Sequence, residues 1–266
     1  MASLGRPTPQ APTTRPPGER PRYRDRDEGR FRHPFENRYV DEHRAFGLPL
    51  IPANEAFKLR ARWHESFGRQ APLHVEIGSG NGFFLSGMAG LRPDWDWVGI
   101  EIRYKRTVMC ATKIRGAGVQ NARIVRYHAA FLDDLFEAGT IDGLYVNHPD
   151  PWPKERHEGN RLISRWFLED VVDLLKPGAH LRMKTDHLPN VERLIAMLDH
   201  DGELNAAPRL PLEIRARAYD VTRDPAPWPE DIETNYQRKF RLRGLPVHAI
   251  EVVRTDAPVP ERMTGR

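Results

Sequence analysis

Three of the five residues from Pro149 to Pro153 are proline, and no other stretch limits the fold of this chain so tightly. Proline holds φ near about −65° and lacks an amide hydrogen, so the segment can neither extend a sheet nor start a helix at once. It must turn. The apolar run Ile141 to Val146 before it reads as a buried strand. Asn147, His148, Asp150, Trp152 and Lys154 are therefore expected on nearly rigid backbone just past the carboxyl edge of a sheet, where open α/β sheets hold ligands. Because Pro and Asp are ordinary turn residues, a plain turn over a buried Trp152 is the simpler reading of this segment taken alone.

From Leu73 onward strand and helix patterns alternate. Leu73 to Ile77, Trp97 to Ile102, Arg123 to Tyr127, Gly143 to Val146 and Leu181 to Thr185 read as strands. Phe83 to Leu91, Lys105 to Arg115, Trp166 to Leu175 and Val191 to Leu198 read as helices, the third of them stopped at Lys176-Pro177-Gly178. Strands joined by helical crossovers imply a parallel sheet. Ile214 to Val221 and Val247 to Val253 lack a helix of comparable strength between them, which predicts an antiparallel edge.

The loop Gly78-Ser79-Gly80-Asn81-Gly82 lies between the first strand and the first helix. Glycine spacing of this kind serves dinucleotide and nucleoside binders alike. Glu101, at the end of the second strand, is placed to accept hydrogen bonds from ribose hydroxyls, which points to an adenosine-containing ligand. Glu76 stands just before the loop, where a carboxylate would repel a pyrophosphate but suits a cationic amine and sulfonium. The choice tips from NAD to S-adenosylmethionine.

These residues resemble the bacterial tRNA (guanine-N7)-methyltransferase family over roughly Glu76 to Val253. The resemblance rests on Glu76-Ile77-Gly78-Ser79-Gly80, Gly99-Ile100-Glu101, Pro149-Asp150-Pro151-Trp152-Pro153-Lys154, Thr185-Asp186, and Thr234 with Arg238, Lys239 and Gly244. It implies a doubly wound, mostly parallel, seven-stranded Rossmann-like methyltransferase sheet with an antiparallel edge. It also implies methyl transfer from S-adenosylmethionine to N7 of a guanine in the tRNA variable loop, at position 46. By resemblance Glu76, Gly78, Gly80, Glu101 and Asp150 would bind the cofactor, with Asp150 as the catalytic residue between methyl donor and guanine. Lys154, Arg161, Asp186, Thr234 and Gln237 would hold the target nucleotide, and Arg156 would join Lys154 and Arg161 on phosphates. Either Asp150 or Asp186 could accept from the guanine edge, and Trp152 could stack on a flipped base or fill the core.

Three positions depart from the family pattern. Ala129 stands where the family has an acid near the adenine, with Asp133 and Asp134 close enough in sequence to substitute. His157-Glu158-Gly159-Asn160-Arg161 dilutes a basic run, and Gln237 replaces an acid in the late Thr-x-x-Glu motif. These departures keep open a methyltransferase with a shifted target, another RNA base or a small molecule, and a non-catalytic RNA-binding protein on the same scaffold.

Composition settles the setting. A chain of 266 residues that is 39% hydrophobic and 29% charged suits a globular domain, expected over residues 46–255. The first 46 residues hold ten Arg against seven acids, with six prolines by Pro21 and almost no aliphatic side chains before Val40. Such a composition cannot offset its ordering entropy, so a disordered Pro/Arg-rich tail is expected over residues 1–45, clearest up to Arg38, and a second tail over residues 256–266. The first tail could draw in RNA or simply solubilise the chain. No apolar run approaches the roughly 20 residues of a membrane span, no signal peptide is seen, and Cys110 is the single cysteine. The expectation is a cytoplasmic protein. The histidines show no metal-ligand spacing, so no metal is assigned and most are read as surface or satisfied core residues.

Overall fold

Strand Leu73–Ile77 is buried along its whole length, His74 and Glu76 included, as befits a strand covered on both faces. It lies near the middle of the sheet in the computed structural model, which describes residues 38–152, 161–199 and 209–259. In chain order the strands are β1 (Leu50–Ile51), β2 (Leu73–Ile77), β3 (Asp96–Glu101), β4 (Ala122–Arg126), β5 (Ile141–Asn147), β6 (Leu175–Thr185), β7 (Leu212–Ala218) and β8 (His248–Arg254). They form one sheet in the order β1-β4-β3-β2-β5-β6-β8-β7. The pairings among β1 to β6 are parallel, whereas β8 runs antiparallel to both β6 and β7.

The helices are α1 (Arg38–Ala45), α2 (Ala53–Lys58), α3 (Trp63–Phe67), α4 (Phe83–Leu91), α5 (Tyr104–Gly116), α6 (Arg165–Leu174), α7 (Leu188–Leu198) and α8 (Asn235–Leu242). Alternate side chains of each strand meet different helices. Val75, Ile77, Val98, Leu144 and Leu181 pack with Phe167 and Val171 of α6 and Leu194 of α7. Trp97, Ile124 and Tyr145 face the other way, onto Leu85 and Met88 of α4 and Ile114 of α5. Burying each such side chain contributes about 1.5–3 kcal/mol, and the two layers make the sheet doubly wound, as the family resemblance implies.

Four expectations need correction. The sheet has eight strands rather than seven, because two-residue β1 adds beside β4 and is too short to carry a periodic signal. Residues 38–45, assigned to the tail, form α1, whose His43 is buried with its ring edge-on to Tyr104 of α5 at 5.1 Å. Helix α8 stands between β7 and β8, where no comparable helix is expected; capping by Thr234 starts it, since the Thr234 hydroxyl accepts from Gln237 N. Finally, Lys176-Pro177-Gly178 does not follow the helix as a loop. It lies within β6, where the register jumps from Ile141 opposite Leu175 to Gly143 opposite His180. The expected tails fall largely at residues 1–37 and 260–266, outside the described residues.

The strand order reverses between β2 and β5, and the crevice beyond their carboxyl ends is the topological switch point. Gly99 of β3 shapes that crevice. A Cβ there would lie 2.5 Å from Ser79 Oγ, 2.6 Å from Leu85 Cδ2 and 2.9 Å from Ile124 Cδ1, so only glycine lets the loop after β2 seat against β3. Gly99→Ala is expected to destabilise the fold by about 1–3 kcal/mol through overpacking. A thermal melt should show this as a loss of about 2–4 °C per kcal/mol, and an unchanged melting temperature would remove the steric argument.

Candidate active site

A cavity of about 700 Å³ opens over the carboxyl ends of β2, β3 and β5. Its walls include Glu76, the Gly78–Asn81 loop, Glu101, Ala129, Ala130, Asn147 to Trp152, Asp186, Thr234 and Phe240. Most of these lie at or just past the carboxyl end of a parallel strand, while Thr234 and Phe240 come from the cap and body of α8.

The two acids differ in how they are held. Glu101 is already anchored on both oxygens: Oε2 accepts from Gly80 N at 3.0 Å and Oε1 from Arg103 N at 2.9 Å. That fixes its orientation and leaves its remaining lone pairs for ligand hydroxyls. Gly78 and Gly80 reach this geometry in the left-handed region, with φ of 72° and 56°. Glu76 is fully buried, and only Oε1 has a partner, Asn147 Nδ2 at 3.0 Å, while Oε2 has none among the described residues. Burial pushes its carboxyl up to about 7, against the pull of Asn147, Ser79 and Lys184. A buried carboxylate oxygen without a partner, on the wall of a cavity, fits a cationic group of a ligand.

The turn after β5 behaves as its prolines require. His148 and Trp152 adopt positive φ, 52° and 39°, uncommon for residues with side chains. Asp150 is exposed and lines the cavity without a hydrogen bond to any described residue. Trp152 is 36% exposed and lines the cavity, so it does not fill the core. Asp186, just past β6, and Thr234, the N-cap of α8, are brought to the same cavity as predicted.

Other expected site residues are placed elsewhere. Gln237 is buried off the cavity, with Oε1 accepting from Lys184 Nζ at 3.1 Å and Nε2 donating to Val221 O at 3.1 Å. Both ends of its amide have partners inside the protein, and it does not line the cavity. Arg161 does not line the cavity; its Nε donates to the Trp152 carbonyl at 3.0 Å and so braces the turn. Asp133 and Asp134 do not line it either, and Asp134 Oδ2 takes the Tyr127 hydroxyl at 2.6 Å, so neither replaces the acid missing at Ala129. Ala129 and Ala130 do line the wall, which makes that side apolar. Lys154, Arg156, His157 and Asn160 lie outside the described residues.

Two residues were missed. His148 is not a surface or idle core histidine: Nδ1 lies 3.3 Å from Asp186 Oδ1 and Nε2 3.0 Å from Thr234 Oγ1. Its place within the proline turn was the available signal. Lys184, in β6, was unremarkable in an apolar strand. Its buried ammonium donates to Asp231 Oδ1 and Oδ2 at 2.7 and 2.9 Å, to Ile232 O at 2.9 Å and to Gln237 Oε1. Burial lowers its proton affinity and the Asp231 carboxylate opposes this.

A doubly wound sheet with an antiparallel final pair, with a glycine loop after β2 and acids at the ends of β2 and β3, is a Rossmann-like fold. The 16S rRNA methyltransferase KamB shares that fold with a TM-score of 0.51 at 17% identity, over 73% of this chain and 92% of that one. Residues 70–244 match the protein family described as "Putative methyltransferase". The tRNA (guanine-N(7)-)-methyltransferase of Streptococcus thermophilus is 31% identical over 80% of this chain and 94% of its own length. That of Bacillus velezensis is 32% identical over 84% and 96%, and that of Streptococcus pneumoniae 34% identical over 76% and 93%. The chain belongs to the tRNA (guanine-N(7)-)-methyltransferase family.

The raised proton affinity of Glu76 has a sign that can be checked. The folded state holds this proton more tightly than the unfolded chain, so the stabilisation is present below the ordinary value of 4.5 and is lost as pH rises to about 7. Glu76→Gln keeps the neutral shape. Its melting temperature, without ligand, should gain on the wild type between pH 4.5 and about 7 and then level off. A difference that stays flat across that window would mean Glu76 does not titrate there.

Proposed function

We propose that this protein transfers the methyl group of S-adenosylmethionine to N7 of a guanine in tRNA, at position 46 of the variable loop. The observation that carries the reading is the placement of Asp150 on the wall of the same cavity as Glu76 and Glu101, in a chain of this family. When bound, S-adenosylmethionine supplies an electrophilic methyl on a positively charged sulfur.

The residues present fit that cofactor. Glu76 Oε2 would take its ammonium group, and Glu101, locked by Gly80 N and Arg103 N, would accept from the ribose hydroxyls. The apolar wall of Ala129, Ala130 and Ile102 suits an adenine held by contact rather than by an acid.

Guanine N7 carries an in-plane lone pair, so no base has to remove a proton before transfer, and positioning is the main task. Methylation makes the ring cationic. Asp150, exposed to the cavity and unpaired by described residues, would stabilise that charge as it develops. Asp186 would accept from the amino and imino edge of guanine, rejecting adenine because the wrong edge leaves the carboxylate without a donor. Thr234 borders the same space and Trp152 offers a half-exposed indole for stacking. Lys154 is assigned to the target nucleotide by its place in the motif.

A polyanionic substrate also suits the rim. On α8, Tyr236 lines the cavity while Arg238, Lys239 and the following Arg243 are exposed beside it, in reach of a nucleic-acid backbone. Such a substrate suits the cytoplasmic setting that we propose, and no helix among the described residues is long and apolar enough to cross a membrane.

Labelled methyl transfer to unmodified tRNA, followed by nucleoside digestion, tests the proposal. The label should appear in 7-methylguanosine with the wild type and fall by at least about 100-fold with Asp150→Asn, which keeps shape and removes charge. Label in another nucleoside would point to a shifted target. Cofactor binding with no transfer at all would favour the non-catalytic scaffold.

A further inference from the structure

His148 occupies a conformation that a packing residue would not need. It is a non-glycine residue with φ of 52°, held there by its own amide, which donates to Lys184 O at 2.7 Å. The side chain is only 5% exposed, and its ring stacks on Phe240 at 5.8 Å and tilts against Tyr236 at 5.6 Å. Both ring nitrogens are used, on opposite sides, by Asp186 Oδ1 and Thr234 Oγ1.

The donor pattern is determined by the partners. A carboxylate only accepts, so Nδ1 must carry the hydrogen toward Asp186. The Thr234 hydroxyl already accepts from Gln237 N at 2.9 Å, so its own hydrogen is available to Nε2 of the neutral ring. A chain of directed bonds thus runs from the α8 amide through Thr234 and His148 to Asp186. It joins three segments that are far apart in sequence: the turn after β5, the end of β6 and the start of α8.

We propose that His148 is a positioning residue for recognition of the target nucleotide, holding the Asp186 carboxylate and the Thr234 hydroxyl as one preset pair. This rests on the functional reading above, in which those two groups face the guanine. A half-exposed Asp side chain left to itself would sample several rotamers and lose affinity each time it had to be ordered on binding. With one oxygen held by His148, the other is presented to the ligand. The same bond draws the Asp186 carboxyl below its ordinary range, so it remains an acceptor.

The test uses the full chain and a tRNA transcript. His148→Phe keeps a ring against Phe240 and deletes both polar contacts. It should raise the KM for tRNA about tenfold, the equivalent of one charge-assisted hydrogen bond, with kcat within about threefold and cofactor affinity by calorimetry unchanged. Because His148 acts in part through Asp186, the loss in the double variant with Asp186→Asn should be smaller than the sum of the two single losses. His148→Gln, which retains a donor and an acceptor, should recover part of the loss, and this comparison carries the test if the Phe variant does not fold.

An unchanged KM in His148→Phe overturns the inference. So do additive effects in the double variant, or a loss that follows melting temperature and cofactor affinity together. A wild-type enzyme that makes no 7-methylguanosine sinks the functional reading and this inference with it. An active wild type with an unaltered variant sinks only the inference.

Discussion

An ammonium group buried inside the sheet is the constraint on which the site depends. Lys184 is 1% exposed, and its charge is satisfied by Asp231, the Ile232 carbonyl and Gln237. Removing one partner of such a pair costs about 3–5 kcal/mol, because the remaining charge stays buried and unpaired. The chain from 231 to 237 is therefore tied to β6. That tie sets Thr234 at the start of α8, and α8 in turn brings Tyr236 and Phe240 to the cavity. It also explains the amide at position 237: Asp231 already neutralises Lys184, so Gln237 completes the hydrogen bonding without adding a second anion.

The same ammonium acts at a distance on Glu76, lowering the proton affinity that burial raises. Three rows of the sheet thus share one electrostatic arrangement at their carboxyl ends. Glu101 is preorganised by two backbone amides, whereas Glu76 is left with one oxygen unanswered. The fully held acid suits neutral hydroxyls. The half-held acid suits a cation, which would supply both charge and hydrogen bond at once.

Much of the fold was legible because β2, β3 and β5 are covered on both faces and carry mostly apolar residues. The helices between them carry the longer period, and parallel order follows from the crossovers. What escaped was short or polar. Strand β1 has two residues, and α8 reads Asn-Tyr-Gln-Arg-Lys-Phe-Arg-Leu, a strip with little apolar weight that holds its place through a cap and a buried amide. At the site, Glu76, Glu101, Asp150, Asp186 and Thr234 were legible from motif and strand position. The structure places Gln237 and Arg161 off the cavity, with hydrogen bonds to Lys184, Val221 and the Trp152 carbonyl, and sequence carries no record of such partners.

By itself, the sequence determined which backbone could turn, which strands could be buried and which acids would end beside the glycine loop. Those follow from local sterics and from the period of apolar residues, which act over a few positions. Only the tertiary structure decided which polar groups remain available to a ligand. Lys184 and Asp231 are 47 residues apart, His148 and Thr234 are 86 apart, and Glu76 and Asn147 are 71 apart. Whether a side chain is free for chemistry or used in holding the fold depends on such distant partners, and they meet only once the sheet has assembled.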